Sequence, residues 1–519
     1  MRHKSTLVLL VVTLALFLPS SSHAALQQTP PAIGMNIAGV VDWSTEWMFV
    51  DAFKMSRDWI SQRQGANWGE GGPLALTPDG WIAALEAGQT AETVMFTAGH
   101  HPGGDYVLLY EGEGELGFPN SQPTIVSEEA GRMVLNYPAD NTPLWLSILA
   151  TNPANPIRNI RLLMPVPDVE TTYQTQPFHP LFLERLAPFK ALRFMDLMLT
   201  NNSTIQEWAD RPTPADPRQS VKGVAVEYLV QLANVLHADA WFNMPHMASD
   251  DYVRQFATLV RDQLDPSLKA YIEYSNETWN GQFSQAGYVI EQGTALGLSS
   301  DAFQAGLFFH SQRAVEMFAI WEDVFGGTDR LVRVLASQAA NAWTAEQVAT
   351  WQNAYEHADA IAIAPYFSGN LNGDFIGSVG NEAAVASMTV DQILDSAGEH
   401  IRGEVRGWIE ANLGVTGQFG LELVAYEGGQ HILGVGGAEN NEAVTQLFIE
   451  ANRHPRMGEL YTEYLTQWQE LGGGLFMNFS STGEFSKWGS WGVLEYQDQD
   501  ISTAPKYQAL VSFIEGAGN

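Results

Sequence analysis

From about residue 180 to the C-terminus, stretches with apolar residues every three to four positions alternate with short, wholly apolar runs. The first spacing puts one apolar stripe on a helix, and the second suits a strand buried on both faces. A helix over 181–189 leads to a run at 192–195, and a helix over 224–236 leads to one at 238–244. Asp250 opens a helix reaching about 264, where Asp265-Pro266 stops it before the run 269–274. The rhythm continues with a helix over 302–324 and the run 331–335, then a helix over 345–357 and the run 360–364. Helices within 390–412 precede 421–426, helices within 442–471 precede 474–479, and a last helix covers 505–514. With an N-terminal run at 32–37 there are eight strands, the number that closes a parallel barrel inside a ring of helices.

Residues 72–167 break this rhythm. Gly, Pro, Asn and Asp recur at short intervals between alternating stretches such as Tyr106-Val107-Leu108-Leu109-Tyr110 and Arg132-Met133-Val134-Leu135, which are all-β signals. The predicted fold is therefore α/β, a (β/α)8 TIM barrel with an all-β, sandwich-like domain inserted after the first barrel strand. Its parts are 25–71 (start of the barrel), 72–167 (insert) and 168–519 (remainder of the barrel). An open doubly wound sheet is the alternative architecture, and the insert reads either as a scaffold packed on the barrel or as a carbohydrate-binding module.

The N-terminus adds a destination. Arg2 and Lys4 precede an apolar run over 6–18, and Ser22-His23-Ala24 follows, so 1–24 reads as a signal peptide cleaved after Ala24. The run is short for a membrane span, and a secreted protein, extracellular or periplasmic, with no membrane association after cleavage is expected. With 0 Cys, disulfides, thiolate metal sites and cysteine nucleophiles are excluded. The net charge of −33 repels polyanions, so nucleic acid is not an expected partner and uronate-rich polymers are disfavoured. Aromatic residues are plentiful, with 16 Trp, 16 Tyr and 25 Phe; most fill cores, and sugar rings stack on the same faces.

In such a barrel, chemistry sits where strands end at their C-terminal side. There the sequence places Arg193 and Asp196 (second run), Asn243-Met244-Pro245-His246 (third), Asn276-Glu277-Thr278-Trp279 (fourth), Pro365-Tyr366 (sixth) and Tyr426-Glu427 (seventh). The eighth run enters a loop with Lys487, Trp488 and Trp491. Retaining glycoside hydrolysis needs two carboxyls roughly 5 to 5.5 Å apart, one to protonate the leaving oxygen and one to attack the anomeric carbon. Glu277 and Glu427 stand on strands that face each other across the barrel mouth.

Asn276-Glu277 on the fourth strand and Glu427 on the seventh resemble the hallmark of the clan A retaining (β/α)8-barrel glycoside hydrolases, family 5 cellulases among them. The resemblance covers the barrel and not the insert. It implies Glu277 as acid/base, Glu427 as nucleophile and Asn276 as a ligand of the sugar 2-hydroxyl. It further implies supporting or substrate-binding roles for Arg193, His246 and Tyr366, with Trp279 and one of Trp488 or Trp491 as sugar platforms. Arg193 could equally bridge strand-end acids such as Asp196, and His246 or Tyr366 could be core residues. For the roles to hold, Glu427 should stay ionised beside Arg193 and Tyr366 while burial and Glu427 raise Glu277. No metal or cofactor is expected: His100-His101 with Asp105 lacks ligand spacing, and the glycines at 428–437 lack a phosphate-binding pattern. The expected substrate is a neutral β-linked polysaccharide of the β-glucan or cellulose type. The alternative is a non-catalytic polysaccharide-binding or matrix protein on the same barrel.

Overall fold

The computed structural model describes residues 31–97, 100–139 and 142–516; the expected signal peptide lies outside them. Eight parallel strands form a closed barrel. They are β1 (Ile33–Asn36), β2 (Ala191–Arg193), β3 (Asp239–Met244), β4 (Ala270–Tyr274), β5 (Leu331–Ala336), β6 (Ala360–Ile363), β7 (Glu422–Ala425) and β8 (Phe476–Phe479). The ring closes where Ile33 pairs with Phe476 and Asn36 with Phe479.

Period-two alternation sorts the strand side chains. Leu192, Phe242, Ile272, Ile361 and Leu423 face the helix shell, whereas Trp241, Val334, Ala362, Val424 and Met477 fill the interior. Small interior residues make room for large ones: a Cβ on Gly34 would lie 2.3 Å from the Met477 sulfur. Trp241 stacks on Tyr271 at 5.2 Å, which plugs the barrel below its mouth. The interior is thus packed, with the Arg193, Glu273 and Asn243 side chains above the Trp241 layer, near the strands' C-terminal ends.

The helices begin and end where local chemistry dictates. Ser249 caps Asp250–Gln263 by accepting from Tyr252 N, Asp301 caps Ala302–Phe325, and Gly326 closes that helix at φ 74°. The helices predicted within 390–412 run on from one another: Val390–His400 passes through a π turn, Ile401–Val405, into Arg406–Phe419. Among the described residues no helix is long and apolar enough to cross a membrane.

Two four-stranded antiparallel sheets occupy the connection between β1 and β2. One has the order Ile60–Arg63, Gln89–Phe96, Leu144–Thr151, Gly114–Gly117; the other Arg158–Leu163, Gly104–Glu111, Arg132–Tyr137, Thr124–Glu129. Their strands therefore start at Ile60, ahead of residue 72 where the turn signals begin. Ile-Ser-Gln-Arg is too short and polar to announce a strand by itself; its pairing with Gln89–Glu92 makes it one. The outermost strand, Thr124–Glu129, is exposed throughout and carries Glu128 and Glu129, charges that discourage edge-to-edge pairing. The sheets are fastened to the barrel by the chain after β1: Met164 N donates to Val50 O at 2.8 Å and Leu162 N to Asp51 Oδ1 at 3.0 Å.

Candidate active site

Arg193, at the end of β2, is the hub of the barrel mouth and is wholly buried. Its Nη1 donates to Glu427 Oε1 at 2.8 Å and to Asn36 Oδ1 at 3.0 Å, and its Nη2 to Asn276 Oδ1 at 2.9 Å. Nε and Nη2 also grip Glu273, at 3.1 and 2.9 Å. Trp241 and Asn243 donate to the same Glu273 carboxylate. Every group around Glu273 is a donor, the surroundings of an ionised carboxylate. One guanidinium thus joins β1, β2, β4 and the segment after β7.

Two tyrosines complete the frame. Tyr366 OH donates to Glu427 Oε2 at 2.9 Å, and Tyr426 OH to Glu277 Oε1 at 2.8 Å. Asn280 Nδ2 holds the other Glu277 oxygen at 2.9 Å. Consecutive residues Tyr426 and Glu427 therefore serve both carboxyls. The Glu277 backbone sits at φ 41° and Ser275 at φ 59°, left-handed conformations that side chains larger than glycine seldom adopt. Ser275 N bonds Met244 O and Asn280 N bonds Glu277 O, which fix this turn and aim Glu277 at the mouth.

Electrostatics depart from expectation at Glu427. Burial pushes its carboxyl up to about 8; Arg193 opposes this, and the Glu277 charge reinforces it. Glu427 was expected to stay ionised near neutral pH, but Arg193 divides its charge between Glu427 and Glu273 and cannot offset the loss of water. Asp196 is likewise pushed up by burial, to about 6, against the pull of Arg193. Arg193 itself is desolvated, yet Glu273 and Glu427 hold it above its ordinary range, so it stays charged. Tyr366 and Tyr426 are raised by burial and by the neighbouring carboxyls, which keeps both as hydroxyl donors.

A cavity of about 580 Å³ opens above this frame, lined among others by Glu277, Trp279, Tyr366, Tyr426, His431 and Trp408. Glu427, 6% exposed, reaches this cavity through its bond to Tyr366, which lines it. Of the two loop tryptophans, Trp491 packs edge-on against Tyr366 at 5.9 Å. Trp488 is 67% exposed under Lys487. His246 does not join the group: it is buried edge-on against Tyr288, at 5.1 Å. Glu273, Asn36, Asn243 and Tyr426 were missed as members of the frame. Parity could have found Glu273, which alternates with the outward Ile272 and Tyr274. Among the described residues no group of three or more His, Cys, Asp or Glu is placed to hold a metal ion.

No protein-family model and no curated protein sequence matches the chain. The solved structures it resembles include glycoside hydrolases. One is a 4-O-α-L-rhamnosyl-β-D-glucuronidase from Fusarium oxysporum 12S, at 11% identity over 67% of this chain and 66% of that one, TM-score 0.39. A second is a family 51 arabinofuranosidase from Xanthomonas axonopodis pv. citri, at 12% identity over 62% and 63%, TM-score 0.39. A third is a broad-specificity family 5 endoglucanase from Clostridium acetobutylicum, at 13% identity over 67% and 93%, TM-score 0.36. The chain thus spans just under two thirds of the length of the first two.

Proposed function

We propose that this chain is a retaining glycoside hydrolase acting on a neutral β-linked polysaccharide of the β-glucan or cellulose type. The observation that carries the reading is the convergence of Glu277 and Glu427 on one mouth, each bonded by a tyrosine, with Arg193 beneath. Glu277 borders the open cavity and is the group placed to protonate a leaving oxygen. Glu427 is held at both oxygens, which fixes the carboxylate for attack on the anomeric carbon. Attack breaks the glycosidic bond, the leaving sugar takes the Glu277 proton, and a glycosyl ester forms on Glu427. Esterification removes the Glu427 charge, so Glu277 becomes the base that deprotonates water, and water opens the ester with net retention. Asn276, oriented by Arg193 and by its own donation to Asn201 Oδ1 at 3.0 Å, is the group assigned to the sugar 2-hydroxyl. Trp279 and Trp491 are the assigned platforms for sugar rings.

The test is a screen of the purified protein against neutral polysaccharides, followed by the two carboxamide variants. Glu277→Gln and Glu427→Gln should each lower turnover by about 10³-fold or more with folding retained. On an aryl glycoside whose leaving group needs no proton, Glu277→Ala should keep more of the glycosylation rate than Glu427→Ala. The reverse order exchanges the two roles. Binding without turnover in the native chain returns the reading to a polysaccharide-binding protein.

A further inference from the structure

A second cationic site lies away from the barrel mouth, where the loop after β2 meets the insert. Arg218 is 6% exposed, with its guanidinium 4.6 Å over the Trp59 ring and 5.2 Å over Phe53. Its Nε and Nη2 are sealed from solvent and have no hydrogen-bond partner. A buried guanidinium without acceptors is costly, and contacts with aromatic faces offset only part of that cost. Contrast Lys506, equally buried, whose ammonium donates to Asn452 and to the Ser490 carbonyl. Arg218 is a donor lacking its acceptors.

The residue lines a cavity of about 340 Å³. One wall is the hairpin of the insert bearing Leu76 and Asp79; the other bears Asp216 and Lys222, and Asp58 lies between. The site is built before any ligand arrives. Gln219 Nε2 donates to Thr213 O and Asp216 O, Gln219 N to Lys54 O, and Ser220 Oγ to Ser56 O. Lys222 also borders a trough of about 530 Å³ that includes Asn201. Asn201 also accepts from Asn276, so one residue of the trough touches the candidate active site, and Lys222 borders both the trough and the Arg218 cavity.

We infer that the Arg218 cavity is a second glycan-binding site, which takes the hydroxyl groups of a neutral sugar residue in a polymer that also reaches the barrel mouth. The inference rests on the glycoside hydrolase reading for its choice of ligand. Its chemistry is local. Two cations and three carboxylates share the lining. A sugar hydroxyl both accepts and donates, so where the Arg218 side chain borders the cavity it suits a cation and an aspartate at once. An anion would face Asp58, Asp79 and Asp216 on a chain of net charge −33.

The experiment uses an array of defined neutral oligosaccharides (glucans, mannans, xylans and galactans) beside uronate oligosaccharides, probed with the full chain carrying Glu427→Gln so that nothing is consumed. Adding Arg218→Met should weaken retention of at least one neutral oligosaccharide by about tenfold. Asp79→Ala, at an exposed position where folding is not at risk, should weaken the same ligand severalfold. In the otherwise native chain, Arg218→Met should leave turnover of a short aryl glycoside unchanged. Equal retention by both variants, retention of uronates alone, or no neutral oligosaccharide retained would each overturn the inference. Loss of retention on Arg218→Met in a chain with no hydrolytic activity would keep this site and defeat the hydrolase reading instead.

Discussion

Glu427 depends on a guanidinium that it shares with Glu273, and this sharing sets its chemistry. Burial pushes it up to about 8 against the pull of Arg193, so the pH range in which it gains its charge lies above that of an ordinary carboxyl. As nucleophile it must be ionised while Glu277 still carries its proton, so the rising limb of the kcat/KM profile should lie above pH 6 rather than near the ordinary 4.5. A profile already flat from pH 6 would contradict this. Glu46, buried behind β8 and bonded by Ser481 Oγ at 3.0 Å, is also pushed up to about 8, by burial without a cation beside it. Its folded value exceeds its ordinary 4.5, so the stability it contributes is complete below about pH 4.5 and is lost as pH rises to about 8. Glu46→Gln should therefore flatten the fall in urea midpoint between pH 5 and 8; a slope equal to that of the native chain would refute the assignment. At this scale the sequence marked Glu277, Glu427, Arg193 and Tyr366 through the strand ends they follow. It did not mark the balance of charge: parity points Glu273 inward, but that Arg193 divides itself between Glu273 and Glu427 follows only from the closed barrel.

At the scale of elements, Arg193 works as a fastener. It bonds Asn36 on β1, Glu273 on β4, and Glu427 beyond β7, so three strands besides its own depend on one side chain. Arg193→Met would leave Glu273 buried without its cation and should destabilise the fold by about 3 to 5 kcal/mol in denaturant unfolding. A change below about 1 kcal/mol would mean that Trp241 and Asn243 suffice to hold Glu273. Element positions were legible because each apolar run or stripe answers to a single period. For His246 the sequence left a site role and a core role open: its rank after β3 was readable, whereas its packing against Tyr288 depends on the neighbouring helix Ser284–Ala295.

For the molecule as a whole, the insert shares one continuous apolar core with the barrel and is tied to it by specific bonds. Asp51, 4% exposed, accepts from Phe53 N and Leu162 N, and so links the chain leaving β1 to the last strand of the sheets. Asp51→Ala should cost about 1 to 3 kcal/mol, because two buried amides lose their acceptor; an unchanged unfolding midpoint would show the junction to be held elsewhere. The all-β character of the insert was readable from its turn spacing, but its cavity with the β2 loop was not. That cavity needs Arg218 and the hairpin at 75–84 brought together from segments far apart in the chain. The central claim remains that two carboxyls act on one anomeric carbon, with the glycosyl group carried by Glu427. Its most direct test is to treat the native protein with an activated 2-deoxy-2-fluoro glycoside of the sugar that its polysaccharide products define, then map the label by mass spectrometry. The account predicts a single glycosyl adduct on Glu427, absent from Glu427→Gln; an adduct on another residue, or turnover that proceeds with inversion and no adduct, would contradict it.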